Sequence, residues 1–174
     1  MRRTKKLTLS AILVALGAAV LALGGVIEVL DLTVSAFASL IVAFACIEIG
    51  SPYTWLIWLA TSAVSVIIFP GSFVWMQYFV AFGLYPIIKG YIERLPRVFW
   101  IILKLVYANF AIGLMVLGGR FIIGQSLFGS RVWWIVLLLV LLLNAAFIAY
   151  DVLITSCVRM YMVKFRPRFK NLLK

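Results

Sequence analysis

Residues 49–88 read IGSPYTWLIWLATSAVSVIIFPGSFVWMQYFVAFGLYPII, forty consecutive positions without a charged side chain. A helix needs about 20 apolar residues to span a bilayer. The stretch is therefore predicted to cross twice, turning at Pro70-Gly71-Ser72, where a helix breaker meets two turn formers. The pattern repeats on both sides. Leu7–Ile27 is uncharged behind the cluster Arg2, Arg3, Lys5 and Lys6, and Leu32–Ile47 lies between Asp31 and Glu48 and runs on toward Gly50. Val98–Leu117 is interrupted by Lys104 alone, and Val132–Val158 by Asp151 alone. The expected architecture is all-α, a polytopic membrane protein of six transmembrane helices at about 7–27, 32–49, 53–69, 72–90, 98–118 and 132–158. Together these make one membrane domain, followed by a basic tail at 159–174.

Composition agrees. Of 174 residues 66% are hydrophobic and 12% charged, with a mean hydropathy of +1.19. Soluble domains hold roughly 45–50% apolar and about 25% charged residues, so a soluble fold of this length could not cover its own apolar surface. Leu7–Ile27 could be a signal peptide closed by Ala22-Leu23-Gly24, but everything downstream is equally membrane-like, and it is read as the first helix.

A net charge of +11 would suggest nucleic acid in a soluble protein. Here the charges sit between apolar runs, nothing folded projects to present them, and no nucleic-acid partner is expected. Lys and Arg near span ends are retained in the cytoplasm. The N-terminus, the connection 89–97 and the tail from Arg159 onward hold 13 of the 16 basic residues, while the opposite side has Arg120 and Arg131. Both termini are accordingly placed in the cytoplasm. All six tryptophans (Trp55, Trp58, Trp75, Trp100, Trp133 and Trp134) fall near the ends of spans, where an amphipathic indole prefers to lie. The tail mixes Arg159, Lys164, Arg166, Arg168, Lys170 and Lys174 with Tyr161, Phe165 and Phe169, a composition suited to anionic lipid headgroups or to plain anchoring.

Catalysis is not expected. The chain lacks histidine, a nucleophile elbow, a phosphate loop and a usable carboxylate pair. Cys46 and Cys157 lie in apolar runs without companions, so neither a metal nor a cofactor is implied. Polar residues within spans are costly and find partners or line wet cavities. Lys104 and Asp151 enter their helices from the same side to a depth of roughly 10 Å at 1.5 Å per residue, which makes an intramembrane ion pair plausible. Asn109 and Asn144 match in the same way and form a second rung. Each pair is either structural glue or functional. Glu28 and Asp31 on the first outer connection, with Gln77, Tyr78, Asn109 and Asn144, form a candidate substrate-binding set. The outer connection from Gly118 to Arg131 is either a flap at the interface or a plain mobile loop.

In the first helix Ala11, Ala15, Ala18 and Ala22 follow steps of four, three and four, with Ala19 and Gly25 beside them. A flat alanine face lets another helix approach closely, either within the bundle or from a partner. With Lys5-Lys6-Leu7-Thr8-Leu9-Ser10-Ala11 leading into it, this helix and the topology resemble the substrate-binding S components of the energy-coupling factor (ECF) transporters. The family's AxxxA motif maps onto Ala11 and Ala15, with Ala15 and Ala19 as a second register. The resemblance implies a bacterial cell-membrane protein that binds a vitamin-like small solute from outside. It also implies docking through the first helix on a transmembrane coupling subunit whose ATPases supply the energy. No pattern names riboflavin, thiamine, biotin or folate as the cargo. The alternative is an envelope scaffold without transport activity, working through the loop from Lys89 to Arg97. A third reading, a secondary transporter relaying charge through Lys104 and Asp151, lacks the inverted repeat such proteins show.

Overall fold

The structure, a computed structural model, describes residues 3–27, 30–123 and 133–169. Among these residues the chain is helical and forms no strand. Its helices are α1 (Arg3–Val26), α2 (Asp31–Glu48), α3 (Tyr53–Ile68), α4 (Phe73–Gln77), α5 (Tyr85–Ile92), α6 (Arg97–Gly118), α7 (Trp133–Met160) and the single turn α8 (Arg166–Phe169). Four helical segments are long and apolar enough to cross a bilayer: Arg3–Val26, Asp31–Glu48, Arg97–Phe121 and Trp133–Phe165. α3 is apolar but has 16 residues. The turn between α3 and α4 falls at Pro70-Gly71-Ser72, and Ser72 caps α4 by accepting a hydrogen bond from the Val74 amide at 3.2 Å.

The region 72–90, expected as a single span with a kink at its Tyr85-Pro86 end, is broken. α4 ends at Gln77, a π turn occupies Tyr78–Phe82, and α5 begins at Tyr85. Two residues account for the break. Pro86 has no N–H to offer the Phe82 carbonyl four residues earlier, and its ring crowds that carbonyl. Gly83 donates to the Tyr78 carbonyl at 2.7 Å, the wide spacing of a π turn; a Cβ on Gly83 would lie 2.8 Å from that same oxygen.

In hydrocarbon, backbone groups released by a break need new partners. Three side chains supply them. The Trp58 indole N–H donates to the Phe79 carbonyl at 3.1 Å. The Tyr107 hydroxyl lies 2.6 Å from the Val80 carbonyl and 3.0 Å from that of Ala81, and the Tyr150 hydroxyl lies 3.2 Å from the Phe82 carbonyl that Pro86 cannot reach. The broken helix is thus tied to α3, α6 and α7.

α1 packs on α2 and α3 through Leu13, Gly17, Leu21 and Gly24. Gly17 admits Thr61 so closely that a Cβ there would meet its methyl at 3.0 Å. The inward face of α3 is small and polar, with Thr54, Thr61, Ser62 and Ser65 all buried. Ser62 and Ser65 donate to carbonyls one turn back, at 2.8 and 2.9 Å. Such faces permit the close helix approach that drives association in lipid.

One end of the bundle collects charge. Lys6 Nζ donates to the Ile49 carbonyl at 3.1 Å, joining the start of α1 to the end of α2. Glu48 is held by Arg166 Nε at 3.1 Å and by the Tyr161 hydroxyl at 3.2 Å, so the segment after α7 docks on α2.

Candidate functional site

The structure brings Lys104 and Asp151 together, with Lys104 Nζ 2.7 Å from Asp151 Oδ2. They form part of a larger cluster. Lys89 pairs with Asp151 Oδ1, donates to Thr155 Oγ1 at 2.8 Å and lies 3.0 Å from Glu93 Oε1. Glu93 also reaches Lys104 at 3.6 Å, and the Tyr85 hydroxyl donates to Asp151 Oδ1 at 2.6 Å. Two ammonium groups thus face two carboxylates, and α5, α6 and α7 are pinned at one point.

Lys89 corrects the sequence reading. Taken there as part of a basic cytoplasmic connection, it is 6% exposed and sits inside α5. Its spacing carried the signal: Tyr85, Lys89 and Glu93 recur every four residues, the repeat of one helix face. Asp151 and Thr155 show the same spacing on α7, where the Thr155 hydroxyl donates to the Asp151 carbonyl at 2.7 Å.

Asn109 and Asn144 form a reciprocal amide pair, at 3.1 and 3.3 Å. Each also donates to its own helix, Asn109 to the Leu105 carbonyl and Asn144 to that of Val140, both at 2.9 Å. The pair is self-contained, and Asn109 is exposed on the α6–α7 seam.

The other polar candidates do not join it. Tyr78 is buried in a cluster with Leu21, Ala38, Val42 and Val74. Gln77 is half-buried, and its Oε1 is enclosed without a hydrogen-bond partner. Asp31 begins α2, and Glu28 lies outside the described residues. Among the described residues no hydrogen bond joins Gln77 or Tyr78 to the asparagines, and one helical step turns a side chain by about 100°. Tyr78 therefore faces the core that its neighbour does not.

The principal cavity lies elsewhere. About 580 Å³ in volume, it opens between α2, the π turn, α6 and α7, and its walls include Ala36, Leu40, Ala108, Ile112, Ala149 and Tyr150. None of the five described residues nominated for solute binding lines it. Its walls are apolar, and the Tyr150 hydroxyl is engaged by Ser39 Oγ at 2.6 Å.

The alanine face of α1 is split. Ala18 is buried beside Gly17, whereas Ala11, Ala15 and Ala19 are exposed, with Ala22 half-buried at their edge. Ala18 lies at the edge of the row that turns toward buried Leu21, and Ala15 and Ala19 at the opposite edge. Cys46 and Cys157 are unbridged and half-buried on α2 and α7. In the connection after α6, Gly119–Ile123 is a π turn; the rest of the proposed flap, to Arg131, lies outside the described residues, as do the tail residues after Phe169. Comparison with protein-family models, with curated proteins and with solved structures found no match for this chain.

Proposed function

We propose that this chain is a membrane-embedded solute-binding subunit of a multi-component importer, of the kind found in ECF transporters, which docks on a coupling subunit through α1. The carrying observation is the open row Ala11, Ala15 and Ala19 on a helix whose other face is already packed on α2 and α3. Close approach of a partner helix needs such a surface. In this reading the chain crosses the bacterial cell membrane six times, with α3 and the broken α4–α5 unit as the third and fourth crossings. The end bearing Lys6, Arg94, Arg97 and Arg166 faces the cytoplasm, in keeping with the positive-inside rule. Broken helices recur at transporter binding sites, and Gln77, with its enclosed and unpartnered oxygen, supports solute recognition on the α4 side of the break. ATPases on the coupling subunit supply the energy, and this chain hydrolyses nothing.

The test is co-purification of the tagged chain with its coupling subunit. Ala11→Trp and Ala15→Trp are expected to abolish association while leaving the melting temperature unchanged, because both positions are exposed. Normal association by both variants overturns the proposal. A second reading, an envelope scaffold, is favoured by exposed Arg94, Leu95 and Arg97; there, charge reversal at the two arginines would release partners and the alanine row would tolerate change.

A further inference from the structure

The main cavity does not end at Cys157. Leu40 and Cys157, which belong to its wall, also border a second hollow of about 140 Å³ that Ala43, Phe44, Ile47 and Tyr161 complete. The two spaces form one groove. Its α2 wall steps through residues 32, 36, 40, 43 and 47, and its α7 wall through 143, 146, 150, 153 and 157, each the spacing of a single helix face, with Tyr161 just beyond α7 continuing the second row. From Leu32 to Ile47 the helix rises about 22 Å at 1.5 Å per residue, a large part of the hydrocarbon core's roughly 30 Å. The rim is exposed, Phe37 by 61% and Leu153 by 48%. The lining is mostly apolar, and the Tyr150 and Tyr161 hydroxyls at its wall are engaged by Ser39 and Glu48, so the slot offers water few partners.

Its two ends differ in charge. α2 begins with Asp31 beside Leu32. At the Ile47 end the chain leaving α7 brings Lys164 and Arg166, with Arg166 fixed there by Glu48. Lys164 and nearby Arg159 are exposed and have no acidic partner among the described residues. We propose that the groove holds one acyl chain of an anionic phospholipid from the surrounding bilayer, with its headgroup at Lys164 and Arg166. The length of the slot suits a chain lying along the membrane normal. The charge difference sets its direction, since basic residues beside a membrane attract anionic headgroups. This site does not depend on the importer reading.

The test uses nanodiscs of equal phosphatidylglycerol and phosphatidylcholine, from which the protein is released and weighed by native mass spectrometry. The wild type is expected to keep one phosphatidylglycerol in preference to phosphatidylcholine. Ala146→Leu and Ala149→Leu, at exposed alanines of the wall, fill the groove and are expected to lower retention of both lipids with helix content unchanged. Lys164→Gln with Arg166→Gln is expected to leave chain retention but reduce the headgroup preference, by about fivefold for each base removed. Equal retention of the two lipids by the wild type, or undiminished phosphatidylglycerol in both alanine variants, overturns the proposal. So does a lipid-free species of twice the chain mass, which assigns the groove to a second copy.

Discussion

A third of the central residues of α1 and α2 are buried, against 11% of those of α6 and 6% of those of α7. The two halves of the molecule are joined by different means. α1, α2 and α3 approach closely, Gly17 against Thr61 and Gly24 against Val34; Ser62 and Ser65 bond within α3, while Ser35 of α2 donates to the Val74 carbonyl of α4 at 3.5 Å. α6 and α7 bury little, yet the Lys89–Asp151–Lys104 cluster, the Asn109–Asn144 pair and two tyrosine hydroxyls bind them to each other and to the broken helix. Lipid gives apolar side chains no reason to leave it, so helices associate through close packing or through polar links. This molecule uses packing in one half and polar links in the other. The looser half is also where the groove opens.

The sharpest way to break this contrast is Asp151→Ala. It leaves Lys89 and Lys104 facing each other with Glu93 alone, and a buried charge left without its partner costs about 3 kcal/mol or more. Thermal unfolding in detergent should show the largest loss of any single change, and crosslinking should show α7 leaving α5 first. A wild-type melting temperature would demote the cluster to ornament. Close packing in the other half is tested by Gly17→Leu. It drives a side chain into Thr61 and should cost about 2 kcal/mol, within the usual range for overpacking, while leaving an α5–α7 crosslink intact.

Smaller effects separate the polar links. Tyr150→Phe removes a hydroxyl shared between Ser39 Oγ at 2.6 Å and the Phe82 carbonyl at 3.2 Å, and the loss is expected to cost about 1–2 kcal/mol in the same assay. Hydrogen exchange should rise around Phe82 and stay level in α1. The double change Asn109→Leu with Asn144→Leu should be the mildest, about 0.6 kcal/mol, the mean for such bonds in membranes. Both amides leave together, so neither is stranded. A loss as large as that of Asp151→Ala would mean that the asparagines, not the charges, hold the seam.

Much of this was legible in the chain, and the part that was not has a common cause. The helix ends near residues 26, 48, 68, 118 and 160 follow from the apolar runs and their charged or turn-forming borders. The meeting of Lys104 with Asp151 and of Asn109 with Asn144 followed from matching depths on neighbouring antiparallel helices. Lys89 was missed because a lysine at the end of an apolar run reads as an anchor, and only its three neighbours show it to be interior. Of the alanine row, Ala18 at its edge is buried beside Gly17, while Ala11, Ala15 and Ala19 stay open. Where Gln77 and Tyr78 point was not legible, because sequence gives depth but not azimuth once a π turn intervenes.

The residues alone pointed to an all-helical chain with helices apolar enough to cross a bilayer, and to most of the helix ends outside 72–90, since hydrocarbon tolerates few charges and leaves no backbone group unbonded. Folding in three dimensions decided which face of each helix turns inward. It made Lys89 a third member of an ion pair, gave the carbonyls of a broken helix to Trp58, Tyr107 and Tyr150, and left a slot between α2 and α7. Those outcomes depend on rotation about helix axes and on contacts between residues far apart in the chain, neither of which a linear pattern of hydrophobicity records.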